Sequence, residues 1–288
     1  MKLPDHIREE YPFAQNSLSV ELDGLNYVDE GDGNPVVMFH GNPTWSFYYR
    51  NLIKSLRPEM RCLALDHMGC GLSDKPQDYP YTLKQHITNA VAWIEYLKLE
   101  TFDLVVHDWG GAIGMGVAKA MPEKIRKLVI LNTAAFFVPR IPLRIQICRI
   151  PFLGDLIVRG CNGFAGPAVR MAVKKPLSSA EKVGYLYPYN SWKNRVANLR
   201  FVQDIPTKSG QETYEVVAGI EAFLPQLTSR EILIGWGLKD FCFNQVFLDR
   251  WKAIFPNAEV HAYEQSGHYI LDDEREDLIE RIRSFLIP

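Results

Sequence analysis

Residues 105–112 read VVHDWGGA, an apolar run that ends in an acid and passes directly into glycines. Asp108 stands where a nucleophile-bearing turn between a strand and a helix usually carries the serine of G-x-S-x-G, and Gly110 supplies the glycine two residues on. The first glycine of that pattern is absent, because Val106 occupies its place. The apolar run before Asp108 and the helix-like GGAIGMGVAKAM after it carry the match instead. A carboxylate here changes the chemistry. It is ionised at neutral pH and attacks without a base, so it suits displacement at a saturated carbon with an alkyl-ester intermediate, whereas serine suits an acyl carbon.

A base is then needed only to activate water against that ester. His268 in EQSGHYILDD, on a loop after the last apolar run, is the candidate, and Asp240 in GWGLKDFCF is the acid that would orient it. Asn132 is a poor substitute for that acid because it carries no charge. HGNPTWS (40–46) completes the site: the backbone N–H groups of Asn42 and Trp109 can form an oxyanion hole for the hydrolytic step. Their side chains, an amide and an indole N–H, are two neutral donors suited to a departing halide or a carboxylate-like oxygen. Taken singly, Asp108 reads as a helix cap, His268 as a surface histidine, Asp240 as a turn residue and Trp109 as core. Together they stand at strand ends in the order nucleophile, acid, base, which is the order for this kind of turn. His40 and His107 have no matching metal-ligand spacing, Asp66 and His67 read as loop-shaping, and Cys70 and Cys242 as structural thiols.

Such residues need a sheet to converge on. PVVMFHG (35–41), RCLALDH (61–67), FDLVVHD (102–108), KLVILNT (127–133), EILIGWG (231–237) and AEVHAYE (258–264) each have the length of a buried strand. The stretches between them are mostly long enough for crossover helices, which predicts an α/β fold with a doubly wound, mostly parallel sheet. The spacing breaks once, before EILIGWG. An inserted helical cap is expected at residues 136–210, leaving 1–135 and 211–288 as the main domain. From Arg140 to Arg200 the cap is basic, with only Asp155, Glu181 and Asp204 as acids. That charge reads first as a solvated surface and second as a face for anionic lipid, an acidic partner enzyme or a second copy. Ile147, Phe152, Leu153, Phe164 and Met171 are expected to line either a substrate tunnel or the cap's own core.

The chain has 288 residues and a net charge of −2, which gives nucleic acid no basic field to follow. Its 5 cysteines are scattered and unpaired in spacing. Neither a leader-like apolar segment nor a membrane-spanning run is present, so a cytoplasmic location is expected.

At HGNPTWSFYYR, HDWGG, the aspartate of GWGLKDF and the histidine of SGHY, the sequence resembles the haloalkane dehalogenase branch of the α/β-hydrolase superfamily, over nearly the whole chain. The resemblance implies Asp108 as nucleophile, His268 as base, Asp240 as acid, Asn42 and Trp109 as halide-stabilising donors, a cap over a substrate tunnel, and no cofactor or metal. DHMGCGLSDKP, VILNTAAF and YNSWKNRVANLRFVQDIP are similar to the subgroup that also contains β-lactone decarboxylases of olefin synthesis. Hydrolytic dehalogenation of a small haloalkane, with release of a halide ion, is therefore the first expectation. Decarboxylation of an alkyl β-lactone to an alkene is the alternative. Epoxide hydrolysis ranks third, with Tyr185, Tyr187 and Tyr189 open as cap proton donors. Fluoroacetate dehalogenases place an arginine where this chain has Trp109, which speaks against them.

Overall fold

A computed structural model describes residues 3–18, 24–137 and 141–287. Its strands are β1 (Asn16–Ser17), β2 (Asn26–Glu30), β3 (Asn34–Phe39), β4 (Met60–Asp66), β5 (Phe102–Asp108), β6 (Ile125–Thr133), β7 (Glu231–Gly237) and β8 (Glu259–Tyr263). They form one 8-stranded sheet in the order β1-β2-β4-β3-β5-β6-β7-β8. The first two pairings in that order are antiparallel and the rest parallel. All six expected strands are present. The antiparallel edge made by β1 and β2 is additional: β2 ends in the half-exposed Asp29 and Glu30 and lacks the apolar run that marks a buried strand.

Helices cover both faces. On one side lie α1 (Asp5–Glu10), α2 (Arg50–Leu56) and, at the chain end, α11 (Ile270–Asp273) and α12 (Asp277–Leu286); on the other lie α3 (Leu83–Tyr96) and α4 (Trp109–Ala120). Successive residues of a strand point to opposite faces, so Val105 and Val129 enter the core built by α1, α2 and α12, while Val106 and Ile130 enter the core built by α3 and α4. β5 is buried along its whole length, as a central parallel strand sandwiched by helices must be.

Between β6 and β7 come α5 (Leu143–Cys148), a π-helical turn (Asp155–Gly160), α6 (Ala165–Met171), α7 (Ser179–Leu186), α8 (Val196–Asp204) and α9 (Glu212–Phe223); α10 (Gln245–Ile254) follows β7. Val217 and Ile220 of α9 join the core of α3 and α4. Ile145, Cys148, Val158, Leu199 and Val202 form a small separate core among α5, the π-turn and α8, and Phe164 packs against it. The expectation that all five chosen apolar residues line a tunnel or this core is corrected. Phe152 is 89% exposed, and Ile147 and Leu153 also face outward. Proline and glycine cut this stretch into helices too short to bury every apolar side chain. The basic series is also partly spent internally: Arg195 donates to the carbonyls of Tyr189 and Arg159, and Arg159 pairs with Asp155 at 3.4 Å. Arg140 lies outside the described residues.

Candidate active site

β5 delivers Asp108 into a left-handed turn with φ 52° and ψ −126°, after which α4 begins at once. A non-glycine residue held there is strained, and the close packing around it shows what holds it. A Cβ on Gly110 would collide with the carbonyl of Phe39, one on Gly111 with the Thr133 hydroxyl, and one on Gly41 with the Asp108 side chain itself. Thr133 also donates a short hydrogen bond to the Asp108 carbonyl. Val106 is tolerated in place of the expected glycine because Gly114, further along α4, lacks a side chain; a Cβ there would sit 2.5 Å from Val106 Cγ1.

The Asp108 carboxylate is buried and faces the donors expected of an oxyanion hole. The Asn42 N–H donates to its Oδ1 at 2.6 Å, and the Trp109 N–H also bonds to it. Burial raises the Asp108 pKa, while His268 and these two N–H groups pull it back, leaving it above the ordinary carboxylate value.

His268 and Asp240 lie where the sequence places them. His268 Nδ1–H donates to Asp240 Oδ2 at 2.7 Å, which leaves Nε2 facing Asp108 Oδ2 at 3.6 Å. That separation exceeds hydrogen-bond length. Burial lowers the His268 pKa, but the carboxylates of Asp240 and Asp108 more than offset it and leave it raised. Three residues that the sequence gives no catalytic role support this pair. Asn132, with a φ of 27°, donates to Asp240 Oδ2 at 3.0 Å and accepts the Gly237 N–H at 2.8 Å. The Cys242 N–H donates to Asp240 Oδ1 at 2.7 Å, so both carboxylate oxygens are fixed. His107 stacks on Tyr48 and donates from Nε2 to the His268 carbonyl at 2.9 Å. Burial and the neighbouring His268 hold His107 neutral. The signal for Asn132 is its place at a strand end beside Thr133, although its lack of charge draws attention away from a positioning role.

The expected leaving-group donors sit at the junction with the insertion. One N–H of the Asn42 amide is committed to the Asn198 carbonyl of α8 at 3.1 Å, leaving the second. Trp109 is half-buried with its ring 5.3 Å from that of Phe201, also on α8.

The other polar side chains that the sequence singled out near the site have partners among the loops and the charged residues. Asp66 accepts N–H groups from Ser46 and Leu72, and the His40 and His67 rings bond to backbone, so all three shape the loops. Tyr185 donates to Asp272 and Tyr189 to the Thr44 carbonyl, so neither hydroxyl is available as the proton donor left open in the sequence. Asp272 belongs to a buried charged hub, with Arg50 Nη2 at 2.6 Å from Asp272 Oδ1 and 2.9 Å from Glu181 Oε1. Arg275 reaches Glu181 at 2.6 Å. The hub ties α7 to the segment that follows His268.

The arrangement can therefore attack a saturated carbon with a carboxylate and then orient an imidazole toward the resulting ester. A family profile described as the alpha/beta hydrolase fold matches residues 34–275. The chain belongs to this family. Within the alpha/beta hydrolases it falls in the haloalkane dehalogenase group. It is 48% identical, over 96% of its length and 89% of the relative's, to the cis-3-alkyl-4-alkyloxetan-2-one decarboxylase of Shewanella oneidensis. Identity to the protein of the same name from Xanthomonas campestris pv. campestris is 38%, over 96% and 97% of the two chains. Among solved structures, an ancestral haloalkane dehalogenase matches this chain with a TM-score of 0.84 at 25% identity, covering 95% and 98% of the two chains.

Proposed function

We propose that the protein is a β-lactone decarboxylase that converts cis-dialkyl β-lactones to alkenes and carbon dioxide, with residues 136–210 capping the site. The observation that carries this is the 48% identity with a decarboxylase along nearly the whole chain. It reverses the order of the sequence-based expectation, which put dehalogenation first. Asp108 attacks C4 of the four-membered ring, breaking the C4–O bond and leaving an Asp108 alkyl ester with a free carboxylate on C3. The carboxylate then leaves as CO2. The electrons of its bond to C3 form the C3=C4 double bond, and the C4–O bond to Asp108 breaks to restore the carboxylate. No proton is gained or lost. Asn42 and Trp109 receive the released carboxylate, and His268, held by Asp240, supplies positive charge beside Asp108 in both steps.

Haloalkane hydrolysis is the second reading. It is favoured by the 3.6 Å gap between His268 Nε2 and Asp108, which leaves the base facing the ester that water must attack. A paired assay separates the two: alkene and CO2 from a cis-dialkyl β-lactone, and bromide from 1-bromohexane. Fast alkene formation with slow bromide release is expected. Brisk bromide release with an inert lactone would overturn the decarboxylase reading.

A further inference from the structure

The least satisfied polar groups beside the nucleophile are two amides. Asn198 on α8 is fully buried, yet neither its Oδ1 nor its Nδ2 has a hydrogen-bond partner. Its carbonyl accepts from the Asn42 amide at 3.1 Å; Asn42 Oδ1 is also buried without a partner, and the Asn42 N–H holds Asp108 at 2.6 Å. Asn198 and Phe201 are three residues apart and share a helix face, and Phe201 lies against Trp109. The unpaired carboxamide therefore belongs to the face of α8 turned toward the nucleophile and both leaving-group donors. A buried amide with no partner destabilises a fold, and such departures from full pairing concentrate where a ligand completes the bonds.

We propose that Asn198 is a third leaving-group donor, whose Nδ2 binds one oxygen of the carboxylate released when a β-lactone ring opens. The inference rests on the decarboxylase reading. A halide is a single sphere that two donors satisfy, whereas the lactone's leaving group has two oxygens and remains attached through C3. Fixing it sets the torsion between the bond to CO2 and the C4–O bond to Asp108, which must align for both to break together. A neutral amide also suits the next event better than a cation would, because strong charge pairing would resist conversion of the carboxylate to neutral CO2. Asn198 would thus set preference for lactones over haloalkanes while Asp108 serves both.

The test compares wild type with Asn198→Leu and Asn198→Asp, each close in size to asparagine. The ratio of alkene formation to bromide release is expected to fall about tenfold in Asn198→Leu, the worth of one hydrogen bond to a charged group, and further in Asn198→Asp, which repels the carboxylate. Calorimetric titration with 2-hexyldecanoate, a branched carboxylate resembling the opened adduct, and with bromide supplies a readout independent of turnover. The carboxylate should bind about tenfold more weakly to Asn198→Leu relative to bromide. A merely structural role would lower both reactions alike, and unchanged ratios in both variants would overturn the proposal. Should wild type yield no alkene, the decarboxylase reading fails on its own, and the two binding affinities still decide whether Asn198 receives a carboxylate.

Discussion

The two halves of the site are built on different terms. On the sheet, the carboxylates and the amide that orients them are tied: Asp240 accepts from three groups, Asp108 from two N–H groups, and Asn132 bonds through both ends of its amide. On the insertion, Asn198 leaves both amide atoms unpaired, and apolar side chains such as Leu143 and Phe152 face outward. Rigid pairing on one side fixes what bonds can be made and broken, and loose pairing on the other leaves room for what is bound. On the proposed reading, the tied half would set the chemistry of Asp108, His268 and Asp240, and the loosely paired half would set which substrate meets it.

The largest effect should come from the sheet half. Asp108→Asn is expected to abolish alkene and bromide formation together, by about 10^4-fold or more, with an unchanged melting temperature. Retention of either activity would mean that the two reactions do not share a nucleophile.

His268→Phe sharpens the comparison further. Dehalogenation needs water activation, so mass spectrometry should show Asp108 accumulating as an alkyl ester after exposure to 1-bromohexane. Decarboxylative collapse needs no water, so the lactone should leave no adduct and alkene formation should be slowed but present. The same logic gives opposite pH behaviour in the intact protein. The His268 pKa is raised, so its protonated form persists to higher pH. Bromide turnover should rise as pH passes through that value and frees the base, whereas alkene formation should not.

The junction of the halves comes next. Arg50→Met leaves Glu181 and Asp272 buried without their central cation and should cost about 3–5 kcal/mol, read as a lower denaturation midpoint. Smallest of all, Phe152→Ser on the outer face of the insertion should change stability by less than about 0.5 kcal/mol, since the side chain is 89% exposed. A loss comparable to that at Arg50 would show that the insertion's outer face is buried in the working protein.

What could be read from the sequence follows the same division. Strands β3 to β7 announce themselves because a parallel strand buried on its faces is a continuous apolar run, whereas the edge strand β8, half-buried or exposed throughout, shows only as a short alternating stretch; Asp108, Asp240 and His268 stand at the ends of these strands or just beyond them. The edge strand β2 has no such run. Asn132 is inconspicuous in the sequence because it holds a charge rather than carrying one. Phe152 shows the limit on the insertion: between short helices broken by Pro151 and Gly154, periodicity does not say which face is inside. The charged hub was invisible because Arg50, Glu181 and Asp272 meet across 222 residues of chain.

Val106 and Gly114 share one volume between them. Placing glycine at 106 alone would open a hole beneath Asp108, and adding a side chain at 114 alone would drive a methyl into the valine. Each change is harmful without the other, so the two positions are coupled and tolerate substitution only together. A search keyed to a glycine two places before Asp108 would pass over this chain, while one keyed to the summed volume of the two sites would find it.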